Sequence, residues 1–258
     1  MARCHGCRTI ENMRNLVGIQ EDKLEEETIA FESRIADLAA EAKRTNGPGQ
    51  IMALPGAQEL ISQVSSCRIH GNLENWAYKR CLHPSQISRG SECDPERRPG
   101  WAIVTSGKYT FKAQKAEIGA DLTLCAFSAT AAYAKKAFPA SGVAQEDPVT
   151  FVTGDLVAKG KPDPEPYLLG AKLAKADPAA CVVLEDAPPG VLAGKRSGAR
   201  VIGLRTTHDG ALQWAQGADF VVEDLRKVSA RWEGTGKAAR LILTIESEEK
   251  PVATQGSE

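Results

Sequence analysis

The chain has 258 residues, of which 42% are hydrophobic, so it can bury the core of one large domain or two small ones. Its 32 Lys and Arg residues nearly balance its 33 Asp and Glu residues, which gives no electrostatic reason to expect nucleic acid or an anionic membrane as a partner. No apolar run reaches the length of a membrane span, and the first residues lack the apolar segment of a secretory signal. The seven cysteines are irregularly spaced, which favours reduced thiols in a cytoplasmic protein.

Residues 1–50 are predicted to be mainly helical. Within 9–45, the apolar residues stand among many charged ones and predict an amphipathic helix with a narrow apolar stripe formed by Leu24, Ile29, Phe31, Ile35 and Leu38. The sequence NGPGQ at 46–50 ends this helix, and Pro55-Gly56 opens another.

The cluster Cys4-His5-Gly6-Cys7 resembles half of a zinc knuckle. A zinc site needs a second pair of ligands at a suitable spacing, and the candidates Cys81 and His83 lie far along the chain in an irregular region. We therefore prefer to interpret the cluster as incidental.

Two segments, 67–100 and 108–129, show neither a helical nor a strand period, and we predict them to be irregular insertions. Between them WAIVTSG, residues 101–107, is an apolar strand that ends in small polar residues.

From Thr130 onwards, predicted helices alternate with predicted strands. The helices are 130–138, 162–175, 188–198 and 209–217, and the strands are 148–154, 181–186, 199–204 and 219–222. This alternation is typical of an α/β fold with a Rossmann-like, doubly wound parallel sheet. After Trp232 the pattern stops, and 233–258 is predicted to be an extension with one late strand, 240–245, and a disordered polar tail.

Polar residues follow three of the predicted strands: Thr105-Ser106, Lys161 and Glu185-Asp186. Ligands bind at the carboxyl ends of strands in an open parallel sheet, so these side chains should share one rim. A hydroxyl and an ammonium suit a phosphate, which the carboxylates would repel unless a cation lay between them. Hard oxygen ligands beside a phosphate imply Mg²⁺. Alternatively, Asp186 before Pro188-Pro189 is a helix N-cap, although a cap explains only one of the two acids.

The amino-acid sequence also resembles a known family. The stretches VTSG at 104–107, GKPDPEPYLLG at 160–170 and VLEDAPPGVLAGKRSGARVIG at 183–203 resemble the haloacid dehalogenase-like phosphatases, in particular the fungal glycerol-3-phosphate and 2-deoxyglucose-6-phosphate phosphatases. The resemblance covers about 54–66, 101–107 and 130–228, and it extends to HGCRT at 5–9. It implies a core at 51–232 with a helical cap, of which 1–50 is a remnant and which sets substrate choice.

The resemblance also implies roles for single residues. Thr105 would hold the transferring phosphoryl group, with the backbone N–H of Ser106 beside it. Lys161 would neutralise phosphate charge, and Glu185 and Asp186 would bind Mg²⁺. The implied substrate is a small sugar or polyol phosphate such as glycerol 3-phosphate, and we expect a monomer.

The sequence departs from the family at the nucleophile. Members use a DxDGT motif on the first strand, which lies between the strands that end in Thr105 and in Glu185; its first Asp is the nucleophile and its second the general acid and base. This chain contains no Asp-x-Asp. We therefore expect an N-terminally truncated protein without activity, and we would look to Asp94 or Asp155 for a substitute nucleophile if turnover were found.

Three functions stay open: a Mg²⁺-dependent phosphatase, a non-catalytic phosphate-binding protein, and a mis-spliced fragment. The two irregular segments favour the mis-spliced fragment, because without 108–129 the residues TSG would be followed directly by TAAYAKKAF, as in the family. We hypothesise that 67–100 and 108–129 are translated introns.

Overall fold

The computed structural model describes residues 5–65, 113–120, 122–124, 133, 137, 141–142, 152–174, 176–233 and 240–251. Predictions for the ranges between these, which include the strand 101–107 with Thr105 and Ser106 and the whole segment 67–100, lie outside the described residues. Of the predicted helix 130–138, Tyr133 and Ala137 are described, and both are helical.

The N-terminal residues are helical, as predicted. Helix α1 (Thr9–Asn12) continues into a π-helical turn (Met13–Val17), and helix α2 (Leu24–Thr45) follows. Acidic residues in the first turn of α2 and basic residues in its last turn complement the helix dipole. The helix ends at Asn46, whose φ of 51° is left-handed. Helix α3 (Ala57–Ser65) begins just after Pro55-Gly56.

The predicted apolar stripe of α2 is wrong except at Leu24. Ile29, Phe31, Ile35 and Leu38 are 38–50% exposed. The face that packs on the rest of the molecule is made mostly of small residues, which allow neighbouring backbone to come close: Leu24, Thr28, Ala36, Ala39 and Ala42 are buried there, with Glu32.

A four-stranded parallel sheet forms the centre of the molecule. It consists of β2 (Leu122–Leu124), β3 (Cys181–Glu185), β4 (Arg200–Leu204) and β5 (Phe220–Val222), in the order β2-β3-β4-β5. Helices α4 (Glu165–Leu173), α5 (Pro188–Arg196) and α6 (Gly210–Ala215) alternate with these strands. The predicted Rossmann-like α/β fold is therefore confirmed over the second half of the chain.

The predicted strand 148–154 is not present where the structure describes it. Val152 and Thr153 lie outside any strand, and Gly154–Leu156 forms a 3-10 turn. The guanidinium of Arg8 donates hydrogen bonds to the carbonyl of Gly154 (3.4 Å), at the end of the predicted strand, and to those of Val157 (2.9 Å) and Ala158 (3.1 Å) after it. These carbonyls are thus satisfied by a side chain rather than by a neighbouring strand.

A second, antiparallel sheet contains strand β1 (Ala113–Ala120), β7 (Arg240–Glu248) and β6 (Val228–Glu233), in the order β1-β7-β6. The expected late strand at 240–245 is confirmed and extends to Glu248, while β6 was not predicted. The inward residues of β7, Leu241, Leu243 and Ile245, share one core with α3 and with Val182 and Leu184 of β3. The C-terminal extension is therefore a structural part of the core.

The prediction that 108–129 is irregular is wrong for β1 and β2. All eight residues of β1 pair with β7, and β2 pairs in parallel with β3 on the side away from β4. That is the side on which the family resemblance would place the strand that carries the DxDGT motif. The edges of β3 and β7 carry backbone groups that need partners, and this segment supplies them.

No helix among the residues described is both long and apolar enough to cross a membrane.

Candidate phosphate and metal site

The alternation of side chains along β3 directs Glu185 to one face of the sheet. Cys181 and Val183 pack with Tyr167 of α4 and Val191 of α5, whereas Val182 and Leu184 face the opposite core. Alternate residues of a strand share one face, so Glu185 lies on the same face as Cys181 and Val183, and its carboxylate lies under α4 and α5. It is 1% exposed.

Lys161 meets Glu185 in the interior. Lys161 is 4% exposed, and its Nζ donates to Oε2 of Glu185 at 2.7 Å. A buried charge needs a partner of opposite sign, and these two groups satisfy that requirement for each other. The expected meeting of the lysine and the acid pair is thus present.

All four acceptor positions of the Glu185 carboxylate are occupied. Oε2 accepts from Lys161 and from the hydroxyl of Tyr167 (2.5 Å), and Oε1 accepts from the backbone N–H groups of Asp186 (3.2 Å) and Ala187 (3.0 Å). Burial raises the pKa of Glu185, but the charge of Lys161 and the hydrogen bonds from Lys161, Tyr167 and Ala187 outweigh it, so the net pKa is lowered. Glu185 is ionised at neutral pH.

Two glycines allow close approach at the site. A Cβ at Gly190 of α5 would overlap the carboxyl group of Glu185, so only glycine fits there. Gly6 has a left-handed φ of 82°, and a Cβ on it would lie 2.5 Å from the Cβ of Ala187. These contacts give a structural reason for the glycines in EDAPPG and HGC.

Asp186 lies just past the end of β3 and is 1% exposed. Its Oδ2 accepts from the hydroxyl of Thr207 at 2.8 Å and lies 3.7 Å from Nε2 of His5, while its backbone carbonyl accepts from the amide of Gln213 at 2.6 Å. The alternative interpretation of Asp186 as a helix N-cap is wrong. The cap position of α5 is Ala187, and within the described part of the chain no side-chain hydrogen bond caps the helix.

Two histidines that the sequence analysis had not assigned lie beside Asp186. His5 Nδ1 and His208 Nε2 are 2.9 Å apart, and the ring centroids are 5.0 Å apart. The rings therefore meet nearly head-on and share a hydrogen bond, a geometry unlike two nitrogens converging on one metal ion. Burial lowers the pKa of both histidines, and each also lies near the charge of Glu185, which raises its pKa. The charges of His208 and Lys161 lower the pKa of His5 further.

The remaining predicted site residues are less informative. Thr105, Ser106, Cys4, Cys81, His83 and Asp94 lie outside the described residues. Asp155 is exposed in the 3-10 turn, and Cys7 is half-buried. Within the described ranges, no three His, Cys, Asp or Glu side chains are grouped to hold a metal ion.

Asp186 fits a magnesium ion better than Glu185 does. Mg²⁺ is commonly held by one or two carboxylates together with water and phosphate oxygens. Asp186 offers a hard oxygen ligand at the rim, whereas a metal contact to Glu185 would have to displace one of its four hydrogen bonds.

Comparisons with known proteins identify similar sequences. Residues 101–198 match the haloacid dehalogenase-like hydrolase family. The chain is 29% identical over 236 residues to hexitol phosphatase A of Escherichia coli, covering 92% of this chain and 80% of that protein. It is also 29% identical over 232 residues to 2-deoxyglucose-6-phosphate phosphatase 1 of Saccharomyces cerevisiae, covering 87% and 73%.

Another match is shorter but has a higher sequence identity. Validoxylamine A 7'-phosphate phosphatase of Streptomyces hygroscopicus subsp. limoneus is 42% identical over 104 residues, and this match spans 40% of the chain and 46% of that relative's length. The resemblance that the GKPDPEPY and EDAPPG stretches indicated is thereby confirmed. Residues 101–198 are thus similar to a haloacid dehalogenase-like hydrolase domain.

Proposed function

We propose that this chain binds a small sugar or polyol phosphate together with Mg²⁺ at the rim formed by Lys161, Glu185 and Asp186, and that it does not hydrolyse the ester. The observation that carries the proposal is the buried Lys161–Glu185 ion pair directly beside Asp186. Relatives whose names describe hexitol and 2-deoxyglucose-6-phosphate phosphatases support the substrate class. We also propose that the protein is a monomer and that it is located in the cytoplasm.

The charges of the rim couple phosphate binding to the cation. Lys161 contributes one positive charge, while Glu185 and Asp186 contribute two negative ones, and the lowered pKa of each histidine leaves both imidazoles neutral near pH 7. Lys161 is already paired, so a phosphate dianion would meet net negative charge. Bound Mg²⁺ supplies the positive charge that is missing.

Each residue then has a defined part in binding. Asp186 would hold the cation, and Thr207 fixes its carboxylate through the hydrogen bond to Oδ2. Lys161 would contact a phosphate oxygen while Glu185 holds its ammonium in place. Thr105 and Ser106 would add a hydroxyl and a backbone N–H, as the family resemblance implies.

The same residues offer no nucleophile. Phosphoryl transfer in the family requires an aspartate that attacks phosphorus, and the chain has no Asp-x-Asp. Glu185 cannot take this part, because four hydrogen bonds hold its carboxylate. Without nucleophile and general acid, binding alone leaves the ester intact.

The test combines binding with turnover. Calorimetric titration of the chain with inorganic phosphate should show binding in the presence of Mg²⁺ and none in its absence. Lys161→Met combined with Glu185→Gln should abolish binding, and pairing the two changes avoids leaving a buried charge alone. The control, Lys159→Met, removes an exposed lysine of the same loop and should bind as the unchanged chain does.

Turnover is measured with p-nitrophenyl phosphate and glycerol 3-phosphate. We expect no hydrolysis above a control without protein. Hydrolysis that depends on Mg²⁺ and disappears in the paired variant would contradict the non-catalytic part of the proposal and point to Asp94 or Asp155. Absence of phosphate binding by the unchanged chain would contradict the proposal as a whole.

A further inference from the structure

We propose that Tyr167 is a positioning residue of the phosphate site: its hydroxyl holds the Glu185 carboxylate and thereby keeps Lys161 available to a phosphate. The inference rests on the proposed function and deepens it. Tyr167 is fully buried, and its hydroxyl donates to Oε2 of Glu185 at 2.5 Å, the same oxygen that accepts from Lys161.

The fold brings Tyr167 to this position through a single short stretch, GKPDPEPY. Lys161 precedes Pro162, and Tyr167 lies in the first turns of α4, so both side chains reach β3 from the same side. The Nζ of Lys161 lies 5.4 Å from the centroid of the Tyr167 ring. Tyr167 therefore contacts the lysine directly through its ring and indirectly through Glu185.

The Tyr167 hydroxyl reduces the part of the Glu185 charge that Lys161 has to balance. With two donors on Oε2, part of the carboxylate charge is balanced by Tyr167, and Lys161 carries less of it. Without the hydroxyl, Lys161 would be the sole side-chain donor to this buried anion among the residues that the structure describes, and it would be held more tightly. A phosphate would then compete against a stronger ion pair, and its affinity would fall.

A purely structural tyrosine would behave differently. The ring packs with Ala171, Val183 and Val191, and phenylalanine would fill the same space. If the hydroxyl matters only for stability, Tyr167→Phe should lower the melting temperature and leave phosphate affinity unchanged.

The experiment titrates the full chain with inorganic phosphate at fixed pH in the presence of Mg²⁺. Tyr167→Phe is expected to weaken binding by about three- to tenfold, which is less than the usual effect of losing a hydrogen bond to a charged group because the hydroxyl acts on phosphate only through Glu185. The matched control, Tyr133→Phe, removes a half-buried tyrosine hydroxyl elsewhere and should not change the affinity.

A double-mutant cycle tests whether Tyr167 changes phosphate affinity through Glu185. In a Glu185→Gln background the carboxylate charge is gone, so Tyr167→Phe should cause no further loss of affinity. An equal loss in both backgrounds, or no loss in the single variant, would overturn the inference while leaving the proposed function in place. Failure of the unchanged chain to bind phosphate would overturn both.

Discussion

At the scale of single residues, Glu185 organises the site. Its four hydrogen bonds come from a lysine, a tyrosine and two backbone N–H groups, and Gly190 leaves room for its carboxyl group. Asp186, the next residue, is held by different partners, Thr207 and the His5–His208 pair. Two adjacent acids therefore have different roles: one fixes Lys161, and the other is the candidate ligand for a cation.

The histidine pair makes a prediction about pH. The pKa of His5 and of His208 lies below the ordinary value of 6.5, so the unfolded chain takes up these protons at a higher pH than the folded one. The free energy of unfolding should therefore fall as the pH drops through 6.5. Replacing both residues by Gln should reduce this fall between about pH 7.5 and 5.5.

Chemical denaturation at the two pH values checks this prediction. The control replaces the other two histidines, His70 and His83, by Gln. An equal reduction in both double variants would mean that the fall does not arise from the His5–His208 pair.

Part of the site was predictable from sequence. Lys161, Glu185 and Asp186 could be expected to meet, because all three were predicted to follow strands of one parallel sheet, although Val152, Thr153 and Gly154 do not form the strand predicted before Lys161. Tyr167 lies on a helix face, and Thr207 and His208 lie in the loop after β4, so their positions depend on packing that no local pattern reports. The HGCRT stretch belongs to the family resemblance but gave His5 no role, and its partner His208 is 203 residues away.

At the scale of elements, β7 unites the two sheets. Its alternate residues Leu241, Leu243 and Ile245 are at most 1% exposed, and Ser247 bonds to the backbone of Val221 in β5. The strand therefore stabilises the parallel sheet as well as its own.

Ile245→Ala should destabilise the protein by about 2–5 kcal/mol, because it opens a cavity in a closed core. Ile242→Ala, on the half-buried face of the same strand, is the matched control and should cost clearly less. Urea unfolding at neutral pH measures both. Equal losses would mean that the two faces of β7 are buried alike.

Periodicity identified most of the second half of the chain. Helices and strands from Glu165 to Val222 were predicted because apolar runs alternate there with helical spacing and Gly or Pro boundaries. The strand β6 was missed although VSARWE alternates apolar and polar residues, which is the period of a half-buried strand. The strands β1 and β2 were missed because they are defined by distant partners, β7 and β3, rather than by their own composition.

At the scale of the whole molecule, the C-terminal residues belong to the domain. A chain that ends at Glu233 loses β7, and with it three buried side chains that contribute about 1.5–3 kcal/mol each. That sum approaches the whole stability of many domains, about 5–15 kcal/mol. We expect such a chain to show no cooperative thermal transition, whereas a chain ending at Pro251 should melt as the full chain does. Calorimetry distinguishes the two, and cooperative melting of the shorter chain would show that β7 is dispensable.

The intron hypothesis also belongs to this scale. The strands at 113–120 and 122–124 count against it for the second segment, because both pair along their full length with the rest of the fold. For 67–100 it stays a prediction, which transcript sequencing across that segment would test.

The single residue Asp121 separates β1 from β2, yet the two strands join different sheets. During synthesis this stretch leaves the ribosome well before either of its partners, and β1 must wait until almost the last residue has been made. Contacts between such distant parts of a chain form slowly. Between the synthesis of β1 and that of β7 the nascent chain therefore carries a strand whose edge has no partner, and such edges favour association with other chains.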